Sequence, residues 1–249
     1  MPAGRELTVP RTALITGAAR RIGAAMARHL AAKGWAVAIH YRDSRREAER
    51  AVRRIADAGG RALSLPADLA HVTQVDDLVN RARRELGPVG LLINNAAEFA
   101  PDTLETAAGE PWERHLDVNA RAPLVLMGAF ARQLPEDAGG GVVNVLDGWV
   151  LAPPASFVSY AVSKAALATL TVSMAKALAP RIRVNALAPG PTLRHPRQSE
   201  ANFARLVKEG TLLQRATSPE ELCLAVDYLV ATETVTGQVI KLDGGQHLL

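Results

Sequence analysis

The stretch Thr16-Gly17-Ala18-Ala19-Arg20-Arg21-Ile22-Gly23 lies between a short apolar run, Thr12 to Ile15, and a segment from Ala24 to Lys33 that is apolar at helical spacing. A buried strand, a glycine-bearing turn and a helix, in that order, constrain this chain more than any other feature. Gly17 permits a tight turn, and Gly23 permits the helix to pack closely on the strand. The start of the helix offers unpaired N–H groups and a positive dipole, which suits a pyrophosphate. The local pattern therefore predicts a dinucleotide-binding turn.

Apolar runs and helical patterns alternate from there on. Strands are expected at 36–39, 61–65, 91–93, 142–146, 183–187 and 239–242. Helices are expected at 47–58, 75–86 and 112–134, with one more carrying Tyr160 and running to about Leu178. Such alternation implies a parallel sheet with helices on both faces. The expectation is one doubly wound Rossmann-type α/β domain over residues 1–249, with seven parallel strands and residues 1–10 flexible. Pro189, Gly190, Pro191 and Pro196 break regular structure after the sixth strand. Open parallel sheets bind ligands at such strand ends, so 189–217 reads as a mobile cover for a substrate.

Bulk properties narrow the setting. The chain has 249 residues, 48% hydrophobic and 22% charged, enough for one large α/β domain. Its one cysteine, Cys223, excludes an intrachain disulfide and suits a reducing compartment. No apolar run reaches the roughly 18–20 residues of a membrane span. Met1-Pro2-Ala3-Gly4-Arg5-Glu6 carries no apolar signal core, so cytoplasmic residence is expected. A net charge of +4 and a pI near 9.6 raise the question of nucleic acid. The arginines at 45, 46, 50, 53 and 54 are interleaved with Glu47 and Glu49, as on a solvated helix face, and only 4% of residues are aromatic. No nucleic-acid partner and no metal site are expected.

Tyr160 and Lys164 stand one turn apart on a predicted helix, in Ser159-Tyr160-Ala161-Val162-Ser163-Lys164. A phenol beside an ammonium is a proton-transfer device. A lysine about 4 Å away could lower a tyrosine pKa from about 10 by up to about three units, toward the range useful for acid–base work.

Thr16-Gly17 to Gly23, Asn94-Asn95-Ala96-Ala97, Asn119, Tyr160 with Lys164, and Pro189-Gly190 occur together in this order. The set resembles the short-chain dehydrogenases/reductases over nearly the whole chain, from about Arg11 to Gly245. The resemblance implies NAD(P)-dependent hydride transfer with Tyr160 as proton donor. It implies that Lys164 holds the nicotinamide ribose and tunes Tyr160. Asn119 would kink its helix and anchor a water connected to Lys164. The segment from Asn94 to Ala96 would pack against the adenosine side, with Asp68 and Leu69 at the adenine. The implied cofactor contacts are Gly17, Arg20, Arg21, Ile22 and Gly23, then Tyr41, Arg42 and Ser44, then Asn95, Ala96 and Ala97. Tyr160, Lys164, Pro189, Gly190 and Thr192 complete them.

Two departures from the general pattern narrow the resemblance. Arg21 stands where the family's middle glycine falls, and Asp147 stands near the end of strand five where a serine is usual. Both are similar to the pteridine reductase subgroup, which also places a phenylalanine where Phe99 stands. That likeness implies that Phe99 stacks on a pterin, that Arg21 reaches pyrophosphate and substrate, and that Asp147 and Tyr160 deliver protons to ring nitrogens. A flat heterocycle favours such a π-face. Trp149 is a further candidate for the substrate pocket. A serine often found just after the Asn-Asn-Ala motif is Ala97 here, which removes one substrate hydrogen bond.

Strand two ends His40-Tyr41-Arg42-Asp43-Ser44, without the acidic residue at the strand end that bonds a free ribose 2′-OH. Arg42, with Arg20 and Ser44, suits a 2′-phosphate, which favours NADPH. The leading expectation is an NADPH-dependent pterin reductase acting on a small-molecule substrate. The alternative is a ketone or 3-oxoacyl thioester reductase of the same family. A non-catalytic NADP(H) sensor is a third class, but its mark would be a broken Tyr/Lys/Asn set. By resemblance a homotetramer is expected, built on the helices bearing Asn119 and Tyr160.

Overall fold

The computed structural model describes residues 7–249 apart from 151, 152 and 197. The chain runs β1 (Thr12–Ile15), α1 (Arg21–Ala32), β2 (Ala36–Tyr41), α2 (Arg45–Asp57), β3 (Ala62–Pro66), α3 (Val72–Leu86) and β4 (Leu91–Asn94). There follow α4 (Glu110–Leu116), α5 (Ala122–Gln133), β5 (Gly140–Val145), α6 (Val158–Leu178) and β6 (Ile182–Pro189). The last elements are α7 (Glu200–Gly210), α8 (Pro219–Ala231) and β7 (Val239–Leu242). All seven strands pair in parallel, in the order β3-β2-β1-β4-β5-β6-β7.

Successive side chains of a strand point to opposite faces, and the two cores follow that alternation. Ala13, Ile15, Val37, Ile39, Leu91 and Ile93 pack on one side with Met26 and Leu30 of α1, Ile55 of α2 and Leu222 and Val226 of α8. Leu14, Ala38, Leu92 and Val142 pack on the other with Leu78 of α3, Met127 and Phe130 of α5 and Ala175 of α6. With both faces covered, the strands need continuous apolar runs, which is why they were readable. The strand order reverses between β1 and β4, and the crevice beyond their carboxyl ends is where this topology takes a ligand.

The helix expected over 112–134 is three pieces. A single π-helical turn, Asp117–Arg121, separates α4 from α5. Pro123, in the first turn of α5, has no N–H to give to the carbonyl four residues back, at Asn119, and the ladder widens there. The expected cover at 189–217 contains an ordered helix, α7, with no buried residue, and α8 follows it behind a capping box at Ser218 and Glu221. Of the terminal segment expected to be flexible, residues 1–6 lie outside the described residues, while Thr8 bridges Ala138. Among the described residues one helix, α6, is long and apolar enough to cross a membrane by length and composition, contrary to the sequence reading. In the fold its Tyr160, Lys164, Leu167 and Thr171 are buried in the protein.

Candidate active site

The turn after β1 is held by bonds from the ends of its two neighbouring strands, β4 and β2. The Asn95 amide N–H donates to Thr16 Oγ1 at 2.9 Å, and Asn95 Nδ2 donates to Thr16 O at 2.8 Å. The Ala96 N–H shares Thr16 Oγ1 at 2.9 Å. His40 of β2 closes the other side: Nδ1 accepts the Gly17 N–H at 3.0 Å, so Nε2 carries the proton and donates to Ala67 O at 3.0 Å. Burial drives the His40 pKa down to about 4, so the ring stays neutral. Gly17 has φ +63°, and a Cβ there would meet Ala96 Cα at 2.9 Å. A Cβ on Gly23 would meet Gly17 O at 2.6 Å, so this glycine is required by the close approach of α1 to the turn.

Arg21 also has a left-handed φ of 53°, the conformation a glycine would adopt, and opens α1. Its guanidinium reaches across the site to donate to Leu193 O at 2.8 Å and Arg194 O at 3.0 Å. The expected reach toward pyrophosphate and substrate is thus, in this structure, a clasp on the segment after β6.

A cavity of about 410 Å³ opens in front of the turn. Gly17, Arg20, Arg21, Ile22 and Gly23 form its floor, and Tyr41, Arg42 and Ser44 one wall. Asp68, Leu69, Asn95, Ala96 and Ala97 also line it, as do the carboxylates of Asp43 and Glu98. Helix α1 starts at this cavity with no side-chain cap, leaving its first N–H groups available to an anion. An uncapped helix start, two arginines and a glycine floor fit a dinucleotide phosphate. Arg42 is engaged within the chain: Nε donates to Asp43 at 2.7 Å and NH1 to Glu98 at 3.0 Å. Glu98 also accepts from Arg114 Nε at 3.0 Å.

Pro189, the last residue of β6, and Gly190 and Thr192 just after it do not line that cavity. Gly190 N–H donates to Leu242 O at 3.0 Å, and Thr192 Oγ1 to Gly190 O at 3.0 Å, while Thr217 N–H returns to Pro191 O at 2.9 Å.

The proton-handling residues meet at the ends of β5 and α6. The Tyr160 hydroxyl donates to Asp147 Oδ2 at 2.9 Å, and Asp147 Oδ1 accepts the Trp149 N–H at 2.9 Å. Lys164 is buried and donates to Val145 O at 2.8 Å. Its burial lowers the ammonium pKa to about 8, partly offset by Asp147. The expected depression of the Tyr160 pKa is not what this structure holds. Burial raises it well above 10, and the charge and hydrogen bond of Asp147 raise it further. Lys164 Nζ stands 5.9 Å from the tyrosine ring centre and spends a hydrogen bond on the backbone instead. Tyr160 is thus a firmly protonated donor.

Asn119 sits in the π turn. Its Oδ1 accepts the Glu98 N–H at 2.8 Å, and its Nδ2 donates to Glu98 O at 3.0 Å and Ser163 Oγ at 2.9 Å. The aromatic candidates also converge. The Phe99 ring meets Tyr160 edge-on at 4.8 Å and lies 6.1 Å from Trp149. Phe157, which the sequence reading missed, stacks on Phe99 at 4.8 Å with an 8° interplanar angle. The signal was an aromatic residue three positions before Tyr160. Glu98 and His40 were missed as well, and no spacing marks either.

This geometry has relatives. A family model described as short chain dehydrogenase matches residues 11–203. An uncharacterized oxidoreductase from Methylorubrum extorquens is 32% identical, with 94% of this chain and 97% of that protein covered. A 3beta-hydroxysteroid dehydrogenase from Eggerthella lenta is also 32% identical, with 96% and 94% covered. Among solved structures, FolM alternative dihydrofolate reductase 1 from Brucella canis, complexed with NADP, superposes with a TM-score of 0.93 at 43% identity. That match covers 98% of this chain and 96% of the other. The turn, the Tyr160–Lys164 pair and the seven-stranded sheet are those of a short-chain dehydrogenase, and the chain belongs to that family.

Proposed function

We propose that this protein is an NADPH-dependent reductase of pterin-type substrates, dihydropteridines or dihydrofolate. The observation that carries the reading is the Tyr160 hydroxyl bonded to Asp147 at 2.9 Å, with the Phe99 ring packed edge-on against the Tyr160 ring at 4.8 Å. A carboxylate accepts N–H groups and is a poor partner for a ketone oxygen. It therefore suits a heterocycle that presents N–H edges, and Phe99 and Trp149 suit its flat faces. The likeness to the Brucella canis FolM reductase complexed with NADP supports both substrate class and cofactor.

When bound, NADPH supplies the hydride. The residues of the chain handle the proton that must join it across a carbon–nitrogen double bond. Tyr160 holds that proton at Oη, where burial keeps it in place until a substrate nitrogen approaches. Asp147 orients the hydroxyl and takes a substrate N–H. Lys164 keeps a positive charge near the phenol as proton density leaves it, and Asn119 holds the backbone on the inner side of Phe99. Arg20, Arg42 and Ser44 would hold a 2′-phosphate, and Asp68 and Leu69, which line the same cavity, would take the adenine. The protein works in the cytoplasm as a homotetramer.

The second reading, reduction of a ketone or a 3-oxoacyl thioester, is favoured by the hydroxysteroid dehydrogenase relative. The deciding experiment follows NADPH oxidation by the purified protein on dihydropterins, simple ketones and a 3-oxoacyl thioester. Turnover on a dihydropterin but not on ketones is expected. Turnover on ketones alone would remove the pterin reading and leave the Tyr160 chemistry standing.

A further inference from the structure

Phe99 lies on an irregular segment between β4 and α4 and is 41% exposed. Two rungs between helices hold that segment. The inner rung is Asn119 with Ser163, ending on both backbone groups of Glu98. The outer rung is one helical turn away on each helix. There His115 Nε2 accepts the Ala100 N–H at 3.1 Å. The ring proton therefore sits on Nδ1, which donates to Ser159 Oγ at 2.6 Å. The Ser159 hydroxyl in turn donates to Asp102 Oδ2. Asp102 also accepts the backbone N–H groups of Val158 and Ser159, so it caps the start of α6 from outside the helix.

All donors point one way, from Ala100 through His115 and Ser159 to the Asp102 carboxylate. His115 and Ser159 are 0% exposed and Asp102 is 3% exposed. Burial keeps the His115 pKa below its ordinary value although Asp102 and Glu98 both raise it, which keeps Nε2 free to accept. A buried polar chain is costly unless every member is satisfied, and here each bond depends on the next. None of the three side chains is used in the proton transfer described above. Both ends of the chain bear on it nonetheless: Ala100 follows Phe99, and Ser159 precedes Tyr160.

We propose that Asp102, Ser159 and His115 form a positioning relay that fixes Phe99 against the Tyr160 ring and so sets the affinity for a flat aromatic substrate. The substrate part rests on the pterin reading; the positioning part does not. His115 also meets the Tyr160 ring edge-on at 5.9 Å, but its hydrogen bonds run to Ala100 and Ser159, so His115 and Ser159 are positioning residues, not catalytic ones.

The test compares the full-length wild type with His115→Phe, His115→Gln and Ser159→Ala. Glutamine restores an acceptor near the Nε2 position, whereas phenylalanine keeps bulk and loses both bonds. Hydrogen exchange of the peptide covering 97–104, without substrate, is expected to rise about tenfold in His115→Phe and to stay within about twofold in His115→Gln. In steady-state kinetics the dihydropterin KM is expected to rise about tenfold in His115→Phe and Ser159→Ala, with the NADPH KM within about twofold of wild type and glutamine restoring the dihydropterin KM. Unchanged exchange in His115→Phe overturns the relay. So does a parallel loss in both KM values and kcat that glutamine fails to rescue, because that marks a merely structural role. If wild type does not reduce dihydropterins, the pterin reading fails while the exchange result still decides the relay.

Discussion

The Tyr160 hydroxyl donates to Asp147 Oδ2 across 2.9 Å, with the same carboxylate pinned by the Trp149 amide. The phenol is thereby aimed and kept protonated. Asp147→Ser removes the acceptor for a substrate N–H but restores the hydroxyl donor usual for carbonyl reduction. Dihydropterin kcat/KM is expected to fall about a hundredfold, while ketone reduction holds or improves. Intact dihydropterin turnover in this variant would show that Asp147 has no part in the proton delivery.

Arg42 is tied to Asp43 and Glu98 within the chain. Exposed ion pairs of this kind are weak, about 0–1 kcal/mol, so a doubly charged phosphate competes well for the guanidinium. Arg42→Ala is expected to raise the NADPH KM about tenfold or more and leave the NADH KM nearly unchanged. Asp43→Asn, at a largely exposed carboxylate, is expected to lower the NADPH KM about twofold by freeing Arg42. An unchanged NADPH-to-NADH ratio in Arg42→Ala would move the 2′-phosphate site elsewhere.

The strands were legible because burial on both faces demands apolar runs, as at Thr12–Ile15 and Leu91–Asn94. The turn and the Tyr160–Lys164 pair were legible because each is local in sequence. Helix α7 carried a signal too, Phe203, Leu206 and Val207 at helical spacing behind the Ser199 cap, but the prolines before it read as an end to regular structure. Helix α8 likewise carried one, the Ser218 and Glu221 capping box with Pro219 between them. The π turn left its trace in Pro123, but a proline in a helical pattern marks a break without naming its kind. His115, Ser159 and Asp102 were invisible because the partners lie 44 and 57 residues apart. The protonated state of Tyr160 was misread because charge proximity can be guessed from spacing, whereas desolvation depends on the finished fold.

His40 links the glycine turn to the loop after β3 only while neutral. Its folded pKa of about 4 lies below the unfolded value of 6.5, so the unfolded chain binds more protons between these values. Stability from this residue is complete above pH 6.5 and is lost as pH falls toward 4. The loss between pH 7 and pH 5 is about 2 kcal/mol. Urea unfolding of wild type and His40→Gln at both pH values checks this. The variant is expected to show a shallower acid loss, and equal slopes would mean that His40 does not titrate with folding.

Lys164 presents the opposite balance between stability and activity. Its burial lowers the pKa from 10.5 to about 8, so holding the charge inside the fold at neutral pH costs about 3 kcal/mol. Folding releases a proton between pH 8 and 10.5, and the cost fades as pH rises across that window. Lys164→Met keeps the side-chain bulk and removes the charge, but leaves Val145 O without its donor, a loss of about 1 kcal/mol. The net expectation is a gain of about 1–2 kcal/mol and a Tm higher by about 2–8 °C at pH 7. The gain should shrink as pH approaches 10. Reductase activity is expected to fall about a thousandfold in the same protein, because nothing then balances the charge that develops on Tyr160. A variant that loses activity and stability together would mean that the buried ammonium holds the fold, and that its cost at neutral pH is more than repaid by its bond to Val145.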